Sequence, residues 1–184
     1  MPRCLGVGEM NLLLPLMARQ TQAHLPVMLA APPWIPCPQR LARGGVALDQ
    51  LLIIRDGKQA FWAAEQGLKS GLCGLVLLWP PKGRVSDRAV RRLQLAAEQG
   101  AAPVFICYRP GQQPPASLAA LRLAVHSGPE LELLRGSSTQ AHRFHLGQSN
   151  IISWPGTRQG ARTRSRLAPV DRSRHGAKRQ ESVS

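Results

Sequence analysis

Short unbroken apolar runs alternate along this chain with longer stretches in which apolar residues recur every three or four positions. The runs are "LPVMLAA" (25–31), "LLII" (51–54), "GLVLLW" (74–79) and "PVFICY" (103–108). Each is short and lacks polar alternation, which predicts strands buried on both faces, as in a parallel sheet. The stretches between them have helical period. Over 8–22, Leu12, Leu13, Leu16 and Met17 form one stripe, with Pro15 tolerated as a kink. Over 56–71, Phe61, Ala64 and Leu68 are the expected inward stripe, with Glu65 and Lys69 paired outside. Asp56 is the expected N-cap there, and Ser70-Gly71 the stop. Over 86–100, Ser86 or Asp87 caps the helix and Gly100 closes it. The "PPWIPCPQ" stretch (32–39) breaks regular structure, because its prolines fix an extended path without amide donors.

The period changes after Arg109. Leu121, Leu123 and Val125 alternate with Arg122, Ala124 and His126, and Leu131 and Leu133 with Glu130 and Glu132, across Ser127-Gly128-Pro129. That predicts an antiparallel hairpin with one wet face, appended to the edge of the sheet. "RFHLG" (143–147) adds a short strand. The class expected is therefore α/β, a mostly parallel sheet with helices on its faces plus an antiparallel hairpin. Residues 1–152 form one domain. Residues 153–184, rich in Arg, Ser, Gly and Gln, have too few apolar positions for a core and are expected to be a disordered basic tail.

Charge changes the picture more than composition does. The 184 residues carry a net charge of +14, which favours an acidic partner, either nucleic acid or the acidic face of a protein. The tail holds eight Lys/Arg against two Asp/Glu. Arg162, Arg164 and Arg166 within it are candidates for non-specific phosphate contact. Cys4, Cys37, Cys73 and Cys107 stand far apart with no C-x-x-C pair or nearby histidine. They read as free thiols in a protein of the cytoplasm or its nucleoid, with no metal. The apolar N-terminal stretch is interrupted by Asn11 and Pro15, too short and too polar for a membrane span or secretory signal.

Gly6 and Gly8 precede a helix, the setting of a phosphate-binding loop. Arg3 stands where the first glycine of such a loop belongs, and Glu9 and Met10 follow Gly8 in place of the lysine and hydroxyl. Glu9 would put negative charge where phosphates sit, so the loop is degenerate, and neither nucleotide nor other cofactor is expected. Strands three and four end in "LLWPP" and "CYRP", without a carboxylate for metal or water. No histidine stands in a nucleophile arrangement, so no enzyme activity is expected. The candidates left are surfaces. Arg88, Arg91 and Arg92 share one helix and would face DNA phosphates or an acidic protein. Trp34 lies in the proline-rich loop as an exposed anchor, whereas Trp79 packs at a strand end.

Several blocks in order, "GVGEMNLLLPLMARQ", "APPWIPCPQRLARGGVALDQLLIIR", "FWAAEQGLKSGLCGLVLLWP", "RRLQLAAEQGAAPVFICYRP" and "PASLAALRLAV", resemble the ImuA/SulA family, most nearly its ImuA-type members. The resemblance runs from about Gly6 to Arg135. It implies a degenerate RecA-like, P-loop-NTPase-like fold without a working Walker lysine, and induction in the SOS response to DNA damage. ImuA-type members act in error-prone translesion synthesis with an inactive Y-family polymerase relative, an error-prone polymerase and the RecA-type recombinase. SulA-type members block division by binding the tubulin-like septal ring protein FtsZ. The family also implies a segment before the glycine loop with a strand central to the sheet. Met1 stands seven residues before Gly8, so the expectation is that the start is misplaced, the protein is shortened, or the central strand is missing or replaced. The stretch after the hairpin, "LLRGSSTQAHRFHLG", is less basic than the family pattern.

Overall fold

The computed structural model describes residues 9–82, 85–109, 111–112, 114–115, 119–125, 130–135 and 143–145. Gly6, Gly8 and the rest of the segment preceding Glu9, on which the expectation about the family's central strand bears, lie outside the described residues, as do His126 and the basic tail.

Helix α1 (Glu9–Gln22) leads into strand β1 (Val27–Ala30), then helix α2 (Pro38–Arg43) and a 3-10 turn (Leu48–Gln50). Strand β2 (Leu51–Ile54), helix α3 (Ala60–Lys69), strand β3 (Leu75–Leu78), helix α4 (Asp87–Gly100) and strand β4 (Val104–Ile106) follow. The four strands form one parallel sheet in the order β2-β1-β3-β4. Every residue of β1 and β3 is buried, as central strands covered on both faces must be. The edge strand β2 exposes Leu52.

Alternation along the strands sorts two cores. Met28, Ala30, Val76 and Leu78 point to one face, where Ala60, Ala64 and Leu68 of α3 and Leu93 and Ala96 of α4 cover them. Val27, Leu29, Leu75 and Leu77 point to the other, beneath Leu13, Met17 and Ala18 of α1 and Leu41 of α2. The result is three layers: two helices, the parallel sheet, two helices.

Several local expectations need correcting. The proline-rich stretch is irregular from Pro32 to Cys37, as expected, but its last two residues begin a helix. Pro38 occupies the first turn of α2, where its missing amide costs nothing, and Cys37 is the extended residue before it. Asp56 is not the cap of α3. Its carboxylate accepts from the Lys58 amide at 2.8 Å, making a tight turn, and the helix begins four residues on. Ser70 ends α3 with Gly71 left-handed behind it, as expected. Ser86 rather than Asp87 caps α4, accepting from the Ala89 amide at 3.2 Å. Gly100 remains inside α4, and the left-handed turn falls on Ala101. In α1, Leu12 and Leu16 are only half-buried, while Leu13, Met17, Ala18 and Thr21 face the core. The Thr21 hydroxyl is satisfied by the Met17 carbonyl at 2.9 Å and in turn accepts from the Ala47 amide.

The hairpin is real, but it is not appended to the parallel sheet. Strands β5 (Arg122–Val125), β6 (Glu130–Arg135) and β7 (Arg143–His145) form a separate antiparallel sheet in that order. Leu123 faces Leu133 and Val125 faces Leu131, so the apolar face is the one the alternation predicts.

Candidate docking surface

All four parallel strands end at one rim, and loops leave them there. The strand order reverses between β1 and β3, because the chain passes from β1 to β2 on one side and then to β3 on the other. The crevice outside such a reversal is where parallel sheets usually take ligands, with backbone amides as donors. Here β1 leaves through Ala31, Pro32 and Pro33, and β3 through Trp79, Pro80 and Pro81. Four prolines contribute no N–H. The Trp79 amide is taken by the Ala30 carbonyl at 2.9 Å and the Ala31 amide by Ile54 at 2.7 Å. Pro80 and Trp79 are buried. Trp79 thus packs at the strand end as expected, and its indole N–H has no partner among the described residues.

Glu9 heads α1, where its charge complements the helix dipole. Its carboxylate lies near enough to Cys107, just beyond β4, to help burial push that thiol up to about 12. A negative charge therefore stands at the same rim.

What the rim offers instead is projecting side chains. The backbone at Ala31 is left-handed (φ 52°) and throws the chain off the end of β1. Trp34 follows, 72% exposed, with Ile35 exposed beside it. Three residues beyond Trp34, Cys37 enters an open groove of about 490 Å³ between α1 and α2, lined also by Leu14, Gln39, Arg40, Arg43 and Gly44. Arg40 ties the two helices by donating to Asn11 Oδ1 at 2.6 Å. No charged partner of Arg43 occurs among the described residues. Trp34 is therefore exposed, as the sequence suggested, and the groove is a feature the sequence did not mark. Position 44 was beyond sequence reasoning, since only the fold brings it against Leu14.

The three arginines of α4 divide. Arg88 and Arg91 are exposed on the outer face. Arg92 is held by Glu65 of α3 (2.5 Å), which Lys69 also engages at 2.7 Å. Glu65 is 5% exposed, not the solvent-facing residue its spacing suggested. Two cations hold its carboxyl below the ordinary glutamate range, the Lys69 hydrogen bond most strongly, against the opposing pull of burial. Arg92 thus braces α3 against α4, while its side chain stays 56% exposed. Because α4 and α2 lie on opposite faces of the sheet, Arg88 and Arg91 do not share a face with the Trp34 groove. Sequence reasoning also missed Trp62, 60% exposed in the first turns of α3. Its signal was present, since a stripe through Ala64 and Leu68 leaves position 62 outside.

A crystal structure of SulA from Pseudomonas aeruginosa aligns with a TM-score of 0.44 and 25% identity. The alignment covers 54% of this chain and 85% of that one. No protein-family model and no curated protein matches the sequence. Among the described residues no three His, Cys, Asp or Glu side chains gather as metal ligands. No helix among them is long and apolar enough to cross a membrane. Arg162, Arg164 and Arg166 fall outside the described residues.

Proposed function

We propose that this chain is a non-catalytic accessory protein of the SOS response, working by docking. On this reading its core is a RecA-like domain that has lost its nucleotide. It supports error-prone translesion synthesis in the cytoplasm by holding an inactive Y-family polymerase relative and an error-prone polymerase at damaged DNA. The observation that carries the reading is the rim: a strand-end crevice lined with prolines and closed by Trp79, beside a projecting Trp34-Ile35 ledge. Among the described residues the prolines that follow β1 and β3 offer a phosphate no amides, whereas an exposed tryptophan on the loop that leads into an apolar-and-arginine groove suits a protein hot spot. The resemblance of the sequence blocks to the ImuA/SulA family supplies the partner class.

The test is calorimetric titration of the full chain with the polymerase relative, beside a sedimentation assay of FtsZ polymer. Binding to the former with FtsZ polymer unchanged is the expected result. Trp34→Ala should cost about 2 kcal/mol, about thirtyfold in Kd, with an unchanged melting curve. Loss of FtsZ polymer on adding the protein would overturn the translesion role in favour of division inhibition. ATP turnover abolished by a change at Gly8 would overturn the non-catalytic one.

A further inference from the structure

Trp62 belongs to a second surface, on the opposite face of the sheet from the Trp34 groove. Helices α3 and α4 each follow a parallel strand and pack side by side on one face, so they run in the same direction. The Glu65–Arg92 bridge fixes their register. One turn earlier on each helix, toward the strand ends, stand Trp62 on α3 and Arg88 on α4. The bridge therefore sets an exposed indole and an exposed guanidinium at the same level on adjacent helices. Arg55 and Lys58 in the loop before α3, Lys82 in the loop before α4, and Arg91 one turn beyond Arg88 surround them, all exposed. None of these five cations is in an ion pair among the described residues. The acids at this end of the α3/α4 face are Asp56 and Asp87; Glu9 stands at the same rim but heads α1, which packs on the other face. Asp56 is engaged by the Lys58 amide, and Asp87 sits in the first turn of α4, where the helix dipole favours it.

We infer that this end of the α3/α4 face binds single-stranded nucleic acid, with one base stacked on Trp62 and the phosphates following Arg55, Lys58, Arg88 and Arg91. The charge favours a polyanion, and the exposed indole distinguishes an unpaired strand from a duplex. A base offers a π-face to stack on only when it is not already stacked between its neighbours. A protein partner would find this end of the face poor in apolar area: Trp62 is the only large apolar side chain exposed in the first two turns of either helix. This surface is independent of the protein-docking role of Trp34.

The test is fluorescence anisotropy of a labelled fifteen-nucleotide oligo-dT with the full chain, against a duplex of equal length and an abasic oligomer. Trp62→Leu, Trp62→Phe and an Arg88→Gln/Arg91→Gln double variant are compared, each checked for an unchanged melting curve. Oligo-dT should bind more tightly than duplex or abasic strand. Trp62→Leu should weaken oligo-dT about tenfold and leave the abasic strand unaffected. Trp62→Phe should retain most of the affinity, because it keeps a ring. The double variant should weaken every nucleic acid and flatten the salt dependence by about one counterion per arginine removed. Equal binding of oligo-dT and duplex, indifferent to Trp62, would overturn the proposal and assign the affinity to charge alone. Unchanged affinity in the double variant would overturn it in favour of the basic tail.

Discussion

Gly100→Ala should destabilise the protein, although a helix-interior glycine replaced by alanine ordinarily gains about 1 kcal/mol. The reason is the close approach of α4 to α3. A Cβ at position 100 would stand 1.8 Å from the Leu68 carbonyl oxygen and 2.9 Å from its carbon. Contacts below 3.0 Å are essentially never made by real Cβ atoms, so the helices must separate by more than 1 Å. The clashing atom is backbone and cannot swing aside. That carbonyl also accepts the Gly71 amide at 3.1 Å, which ends α3, so displacing it disturbs the helix stop. Overpacking of this kind costs about 3 kcal/mol at the upper end of its range. Against the propensity gain, about 2 kcal/mol of net loss remains, or about 4–8 °C in Tm for a domain of this size. Gly71→Ala is the control. It meets open space but has φ +65°, so it should lose only about 1 kcal/mol through left-handed strain. Thermal and urea unfolding of both variants check the ordering. A Gly100→Ala protein as stable as the parent, or more so, would refute the close-packed seam and restore Gly100 to a simple helix terminator.

Three further outcomes follow from single contacts. Glu65→Gln should lose about 1–3 kcal/mol in urea unfolding, because it leaves Lys69 and Arg92 without their carboxylate. The folded carboxyl is held below its unfolded value of 4.5. Its contribution is therefore full above that pH and disappears as pH falls through the folded value, so parent and variant stabilities should converge in acid. Ser86→Ala should cost about 1 kcal/mol by removing the cap on the Ala89 amide, and Ser86→Asp should restore it. Iodoacetamide at pH 8, read by peptide mass mapping, should label exposed Cys37 in the native protein. Burial raises the thiols of Cys73 and Cys107, the latter to about 12, and should protect both until unfolding.

Elements whose signal is local were legible in the sequence. Apolar runs such as 75–78 announce a strand covered on both sides, and Ser86 three residues before Ala89 announces a cap. What failed depended on a partner distant in sequence. Glu65 reads as solvated because Lys69 lies four residues on, and nothing local reveals that Arg92 arrives from the next helix to hold it. Gly100 reads as a stop because glycine usually is one there, while its actual constraint is a carbonyl 32 residues earlier. The hairpin residues gave the right face but not their neighbour, since alternation fixes which side is apolar and not which sheet it joins. The prolines of 32–38 were misjudged differently: Pro38 starts a helix by the same missing amide that would break one further along. In the candidate site, Trp34 and the α4 arginines were legible as residue types. The assignment of Arg92 to a strut, and the shared level of Trp62 and Arg88, needed the packed helices.

These distinctions make stability and the two proposed binding surfaces separable by experiment. Trp34 and Trp62 hang on a loop and on an outer helix turn, both outside the two cores, so truncating either should leave unfolding unchanged. They lie on opposite faces of one rigid sheet, so each should affect one partner and not the other. Gly100 and Glu65 set the spacing of α3 and α4, and disturbing them should weaken nucleic-acid binding along with stability while sparing the Trp34 groove. That groove rests on α1 and α2, which pack on the far face. Measuring both ligands against these four substitutions therefore tests the layered architecture itself: loss of both activities from Trp62→Leu alone would mean that the two surfaces are one.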